Sequence, residues 1–440
     1  MKEVYPMLKK LVAVLLTVSC LLSLGVTCGI AEEKTQLEFY FPVVVGGALQ
    51  QQMQEFVNEF NAANPEYEVV MIYTGNMNDN ITKLQAAVQA GDPPAFYLAP
   101  YNFKIMLNSL GIVDSMQDLL DADADAQEYI DDFIGVFIRD SYLDGNLVSI
   151  PWGRSSCIYY YNKDAFREVG LDPENPPKTW DELTEAAIKL TKTNENGDVV
   201  RYGYGICEND GNSQWPLAIL TAQNGGAISN PEGTEVYFDS DACVGAMEWW
   251  VKLHNEYKCV PDYLLNFSDM PNMFVGGTLA MMQHTSGNLT NIYGNADFEV
   301  GVALMPGVVS QTSSTGGQNF YICTGLTQNE REGAWKFIRY CTTADVQARW
   351  SAACGYVATV KSAFETDIMK EYMSRVDGMA ATLHQLEVGA VSEINTYEAQ
   401  TMCTLMNDYI QAAILGEMSP REAMEELQEV ASEILAAYNR

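Results

Sequence analysis

The chain has 440 residues, 48% of them hydrophobic and 19% charged, with 58 acids against 25 bases and a formal net charge of -33. That length exceeds one small core and points to two or three domains at roughly 150 residues each. The acidic balance excludes nucleic acid as a partner, since phosphate binding needs clustered Lys and Arg, and it suits a protein in bulk solvent.

Lys9 and Lys10 precede the apolar run "LVAVLLTVSCLLSLGVTCGIA", which ends in small residues before "EE". Residues 1–31 therefore read as a secretory signal peptide. A retained transmembrane anchor is the alternative reading, and Cys28 leaves a lipid anchor open. Downstream, "LEFYFPVVV" is an apolar strand, and Leu49, Met53, Phe56, Val57 and Phe60 recur at helical spacing. Asn64-Pro65 ends that helix, "YEVVMIY" is a second strand, Ile81, Leu84 and Val88 mark a second helix, and "AFYLA" is a third strand. Strands alternating with helices imply a parallel α/β sheet that binds ligands at the carboxyl ends of its strands.

The middle of the chain turns helical and aromatic at "ACVGAMEWWVKLHNEY", and strand-like pieces return at "FEVGVALMPG" and "NFYICTG". Two capping boxes stand out, Thr179-Trp180-Asp181-Glu182 and Ser419-Pro420-Arg421-Glu422, with Met424, Leu427, Val430 and Ile434 on one face of the last helix. Asn162 or Asp164 caps a helix that Gly170 ends, and the Tyr159–Tyr161 run is expected to alternate between core and cleft.

Chemistry is sparse. The three histidines, His254, His284 and His384, lack metal-ligand spacing, and no nucleophile elbow, P-loop or dinucleotide fingerprint follows a strand. No cofactor or metal is expected. The eight cysteines beyond the leader are scattered, reading either as exported disulfides or as small buried hydrophobes. Aromatic residues beside small polar ones say more, because sugar rings stack on Trp and Tyr while Asn, Gln, Ser and backbone groups read their hydroxyls. "YFPVVVGG", "YTGNMNDN", "PWGRSSC", "DGNSQWP", "QHTSGNL" and "TGGQNFY" all have that mixture.

Six blocks in order carry a resemblance: "FVNEFNAANPEYEV" with "YTGNMNDNITKL", then "YYYNKDAFREVGLDPENPPKTWDEL", "MFVGGTLAMMQHTSGNL", "FEVGVALMPG", "GGQNFYI" and "CGYVAT". From about residue 36 to the end the chain resembles the extracellular solute-binding proteins of bacterial ABC importers, in the branch for sugars and glycerol phosphates. The resemblance implies a two-lobed α/β fold of the periplasmic-binding-protein type II, maltose-binding-like kind, with a hinge and an interlobe cleft. Lobe 1 is expected over 36–150 plus 306–350, and lobe 2 over 151–305 plus 351–440. Pro151-Trp152-Gly153, Met305-Pro306-Gly307 and the stretch before Gly355 are the expected crossings. It further implies an exported, non-enzymatic monomer, in the periplasm or at the cell surface, that binds a small-molecule solute and passes it to membrane permease subunits.

The site residues follow position by position. "GRSSC" points to Ser155 and Arg154, with Trp152 at its edge; "SGNL" points to Ser286 and Gly287; "TGGQNF" points to Gly316 and Gly317; "CGY" points to Tyr356. Trp215 stands one residue from the expected stacking Trp, Tyr40 and Phe41 end the first strand, and Asn76 lies in "YTGNMNDN". An Arg expected near 395 to clamp phosphate is absent from "EINTYEAQTM", which offers Asn395, Tyr397 and Glu398. A neutral mono- or oligosaccharide is therefore the expected ligand, with sn-glycerol 3-phosphate or a glycerophosphodiester second and Arg154 as the substitute clamp. A secreted glycan-active enzyme, or a sensor using the same fold, are the competing classes.

Overall fold

The structure is a computed structural model describing residues 34–42, 46–75, 77–209, 211–391 and 393–438. The leader with Cys28, and Asn76, lie outside the described residues. The chain opens as expected with β1 (Thr35–Phe41), α1 (Gly46–Ala63), β2 (Tyr67–Tyr73), α2 (Met77–Ala90) and β3 (Phe96–Pro100). Next come β4 (Ile150–Asn162), α3 (Trp180–Leu190), α4 (Gln214–Gln223), β5 (Met281–Thr285), β6 (Val300–Ala303) and β7 (Ser313–Ile322). Helix α5 (Ala344–Cys354), the short β8 (Ala390–Val391), α6 (Ala399–Ile414) and α7 (Pro420–Leu435) complete the elements that frame the site.

The helical stripe read in α1 is the face that packs inward, with Leu49, Met53, Phe56, Val57 and Phe60 all 5% exposed or less. It covers a sheet whose first strands alternate inward Leu37, Phe39 and Phe41 with outward residues. Phe39 stacks on Phe96 at 4.7 Å, a contact made possible by the parallel register Phe39 to Phe96.

Parallel pairing joins β1, β2 and β3 to one another and the start of β7 to the short β8. Strand β7 runs antiparallel to both β3 and β4, so the expectation of a parallel sheet is corrected to a mixed one. These antiparallel partners are far apart in sequence, and strand periodicity carries no information about direction.

Strand β4 organises the molecule. All thirteen of its residues are buried. Ile150–Ser156 pair with β7, whereas Cys157–Tyr161 pair with β5 and Tyr159–Asn162 with β6. Pro151–Gly153 thus sit inside the first ladder, and the change of partners comes at Ser156/Cys157. Strand β7 changes in the same way, pairing Ser313–Ser314 with β8 and Thr315–Ile322 with β4 and β3. The tyrosine run does not alternate between core and cleft. Tyr160 enters one hydrophobic cluster, Tyr159 and Tyr161 another, because helices cover both faces of the strand here.

Helix punctuation matches the reading. The Asn162 side chain accepts from the Ala165 N–H at 2.8 Å, Thr179 and Ser419 form reciprocal capping boxes, and Gly170 takes φ +75° after its helix. On α7 the buried stripe is Met424, Leu427, Ala431 and Leu435, drifting one residue from the expected Val430 and Ile434, as 3.6 residues per turn requires. The eight described cysteines are free thiols, seven of them buried.

Candidate functional site

The ladder between β4 and β7 sets Ser155 opposite Gly316 and Arg154 opposite Gly317. Both glycines are needed for the approach. Gly317 has φ +100°, and a Cβ on it would lie 1.9 Å from the Gly153 carbonyl oxygen. A Cβ on Gly316 would lie 2.9 Å from Ser155 Oγ and 3.1 Å from Trp215 Cζ2, so strand, hydroxyl and indole meet at one point.

Trp215 enters this point from the first turn of α4 and is 8% exposed. Its indole N–H has no hydrogen-bond acceptor, and the adjacent Gln214 Oε1 has no donor, among the described residues. Buried polar atoms are normally paired, so an unpaired donor and acceptor on consecutive residues leave two valences for a solute or water. Phe267 meets Trp215 edge-on at 6.2 Å and stacks on His284 at 4.0 Å. Burial lowers the His284 pKa to about 4, so this imidazole is neutral at pH 7.

A second aromatic plate faces the turn after β5. A Cβ on Gly287 would lie 3.0 Å from Tyr356 Cε1, and Tyr356 lies parallel to Trp350 with centroids 6.4 Å apart. Gly153 completes the wall, since a Cβ there would come within 3.7 Å of Trp350 Nε1 and 3.9 Å of the Tyr356 ring. Ser286 Oγ accepts from the Ser156 N–H at 3.4 Å, tying this turn to the point where β4 changes partners. The indole nitrogens of Trp152 and Trp350 are buried without an acceptor among the described residues.

Arg154 is fully buried and its guanidinium is spoken for. Nε donates to Gly316 O at 3.1 Å, one terminal nitrogen to Asn319 Oδ1 at 3.2 Å, and the other to Thr315 Oγ1 at 3.1 Å. The latter nitrogen lies 3.6 Å from the Asp140 carboxylate, and the guanidinium plane rests 3.9 Å from the Tyr101 ring centroid. Tyr101 donates to Thr315 O at 3.2 Å and accepts from the Glu393 N–H at 3.3 Å. Burial pushes the Glu393 carboxyl pKa up to about 8, against the opposing pull of Arg154.

The structure therefore brings together Arg154, Ser155, Trp215, Gly316 and Gly317, with Ser286, Gly287 and Tyr356 across the same strand. Others stand apart. Phe41 is 3% exposed and packs on Phe39 in the core, while half-buried Tyr40 lies on the opposite face of β1. Trp152 is a core residue between Phe320 and Trp350. Asn395 is half-buried, its Oδ1 without a partner among the described residues, on the segment that Asn102 grips through Ile394 O at 2.8 Å. Trp350, Tyr101 and Glu393 were missed. Trp350 lies on α5, which ends before Tyr356, and nothing local marks either it or Glu393.

Residues 55–375 match the family described as bacterial extracellular solute-binding protein. Among curated relatives, the sn-glycerol-3-phosphate-binding periplasmic protein UgpB of Salmonella paratyphi A is 25% identical over 407 residues, 90% of this chain and 91% of its own. The Escherichia coli K12 protein of that name is 23% identical over 433 residues, covering 95% and 97%. Among solved structures, a solute-binding protein of Thermotoga lettingae bound with α-D-tagatose superposes with TM-score 0.78 at 22% identity, covering 91% of this chain and 100% of that one. UgpB of Mycobacterium tuberculosis in complex with glycerophosphocholine gives 0.78 at 21% identity, covering 92% and 99%. Maltose-bound MalE3 of T. maritima also gives 0.78, at 19% identity, covering 91% and 100%. The fold is thus the two-lobed α/β architecture of maltose-binding-like proteins.

Proposed function

The chain belongs to the bacterial extracellular solute-binding protein family, and from that membership we propose that it is the capture component of an ABC importer for a neutral carbohydrate, a mono- or oligosaccharide. It is a binding protein and not an enzyme. The protein works outside the cytoplasm as a monomer, freed from its leader or held by a lipid at Cys28, and hands its solute to membrane permease subunits. We place the lobe crossings at Ser156/Cys157 and at Ser313–Thr315, where β4 and β7 change partners. Hinge bending there closes Trp215 and Tyr356 over the sugar.

One observation carries the choice of a neutral ligand: the guanidinium of Arg154, the base best placed to replace a phosphate clamp, is bonded to Gly316, Asn319 and Thr315 and faces Asp140. A phosphate there would compete with protein acceptors for every face of the fork. The first turn of α4 offers little in its place, because Trp215 N–H goes to Asn212 O, Leu217 N–H to Ser213 O, and Pro216 has none. Aromatic plates, unpaired buried amide and indole atoms, and glycines that let backbone approach suit hydroxyls and C–H faces instead.

Phosphorylated solutes are the second reading, supported by the names of the curated relatives. A thermal-shift panel of D-tagatose, maltose, maltotriose, sn-glycerol 3-phosphate and glycerophosphocholine, confirmed by calorimetry, separates the two. Saturation at one hundred times Kd stabilises by about 2.7 kcal/mol. At least one neutral sugar should raise the melting temperature and be recovered unchanged. A response confined to the phosphorylated compounds would overturn the carbohydrate reading.

A further inference from the structure

His284 lies on β5 and is 1% exposed. Its Nε2 is 3.1 Å from the Phe267 carbonyl oxygen, and its Nδ1 is 3.2 Å from the Asn288 side-chain nitrogen. Those partners assign the tautomer. A carbonyl can only accept, so Nε2 carries the proton and donates to Phe267 O, which leaves Nδ1 to accept from the Asn288 amide. The ring also stacks on Phe267 with centroids 4.0 Å apart. Both nitrogens and one face of a single imidazole are thus committed to two separate segments of chain.

Each segment leads to one aromatic plate. Phe267 meets Trp215 edge-on at 6.2 Å, and Asn288 closes the Ser286–Asn288 turn whose Gly287 abuts the Tyr356 ring. The Trp215 end is braced from a second side. Glu208, also 1% exposed, accepts from the Leu265 N–H at 3.1 Å while its own N–H donates to Leu265 O at 2.9 Å. Asn209 Nδ2 donates to Asn266 Oδ1 at 3.0 Å, and Trp250 Nε1 at 2.9 Å and His254 hold the Glu208 carboxylate. Residues 265–267 are therefore laced to the loop that leads into Trp215, and His284 ties this braced unit to the turn facing Tyr356.

Resting on the carbohydrate reading, we propose that His284 is a positioning residue that sets the separation of Trp215 from Tyr356, and so selects among neutral solutes by the spacing of their sugar faces. A stacked ring needs its plate at a fixed depth. Hydrogen bonds hold that depth more sharply than apolar packing alone, because they weaken steeply once either partner turns away. The imidazole itself is out of reach of solute and acts through Phe267 and Asn288.

Two measurements test this. In the first, the ligand-free protein carries fluorotryptophan at its seven tryptophans, and the Trp215 resonance is identified by its loss in Trp215→Phe. Asn288→Ala, a change at a half-buried residue bonded to His284, should shift that resonance in the wild-type background. The same change should leave it in place in His284→Phe, which keeps the stack on Phe267 but has no acceptor for Asn288. His284→Met serves as the background should the Phe variant fail to fold. A Trp215 resonance indifferent to Asn288→Ala, or shifted alike in both backgrounds, would overturn the coupling.

In the second, calorimetric affinities for D-tagatose, one ring, and maltose, two rings, are compared in wild type and His284→Phe. The ratio of the two should change by about fivefold or more, the equivalent of one hydrogen bond. Equal weakening of both sugars, as a general loss of stability would give, would overturn the selective role. If neither sugar binds wild type, the carbohydrate reading falls, while the fluorine spectra still decide whether His284 couples the two segments.

Discussion

Replacing Arg154 by Met separates a structural guanidinium from a ligand clamp. Removal orphans the Gly316 carbonyl and Asn319 Oδ1, and it strips the Asp140 carboxylate, 12% exposed, of its buried partner. Thr315 Oγ1 suffers less, since a hydroxyl can turn to donate. Two buried acceptors at about 1–3 kcal/mol each, offset by methionine packing between the Tyr101 and Phe137 rings, leave a net loss of about 3–5 kcal/mol, the usual cost of breaking a buried pair. Arg154→Lys retains the charge but loses the fork, and should cost about 1–3 kcal/mol. The assay is urea unfolding of ligand-free protein followed by tryptophan fluorescence. A Met variant within about 1 kcal/mol of wild type that had lost a thermal response to sn-glycerol 3-phosphate would refute the reasoning. Arg154 would then be reading phosphate.

Trp215→Ala should weaken a stacked sugar by about 1–3 kcal/mol in calorimetry, by analogy with aromatic stacking on bases, and should also lower the unfolding midpoint of ligand-free protein, since the indole is buried against Phe267. Gly317→Ala forces a side chain into the left-handed region and 1.9 Å from Gly153 O, so it should cost at least about 2 kcal/mol in the same unfolding assay. Thr179→Ala removes a capping box and should cost about 1 kcal/mol without touching affinity. Hydrogen bonds from Arg349 and then Tyr340 hold Glu59 down to about 2, so its contribution is complete above pH 4.5 and is lost as pH falls toward 2. Melting temperature against pH should therefore fall less steeply over that window for Glu59→Gln than for wild type.

What could be read from the chain was local. Leu49 through Phe60 declared their helix because burial there follows a period set by backbone geometry alone, and Thr179 and Ser419 declared theirs because a cap is satisfied within four residues. Arg154, Ser155, Gly316 and Tyr356 were reachable only through resemblance, since the pairing that joins residues 155 and 316 reaches across more than a third of the chain. The antiparallel return of β7 was invisible for the same reason. Phe41 was drawn toward the site by its place at a strand end, yet alternation along β1 sends it inward with Phe39. Glu393 eluded the reading altogether. A lone Glu among 58 acids acquires its character from burial, opposed by Arg154, which is far from it in sequence.

The thirteen unbroken residues of β4 also limit how the protein can be taken apart. A cut at Ser156/Cys157 would divide one strand into two stubs, and each half would be left with the raw margin of a sheet whose neighbour had gone. Unsatisfied strand margins invite other chains to add to them. Neither half is therefore expected to stand as a separable module, and a test of its independence would begin with the solubility of a chain cut at that point.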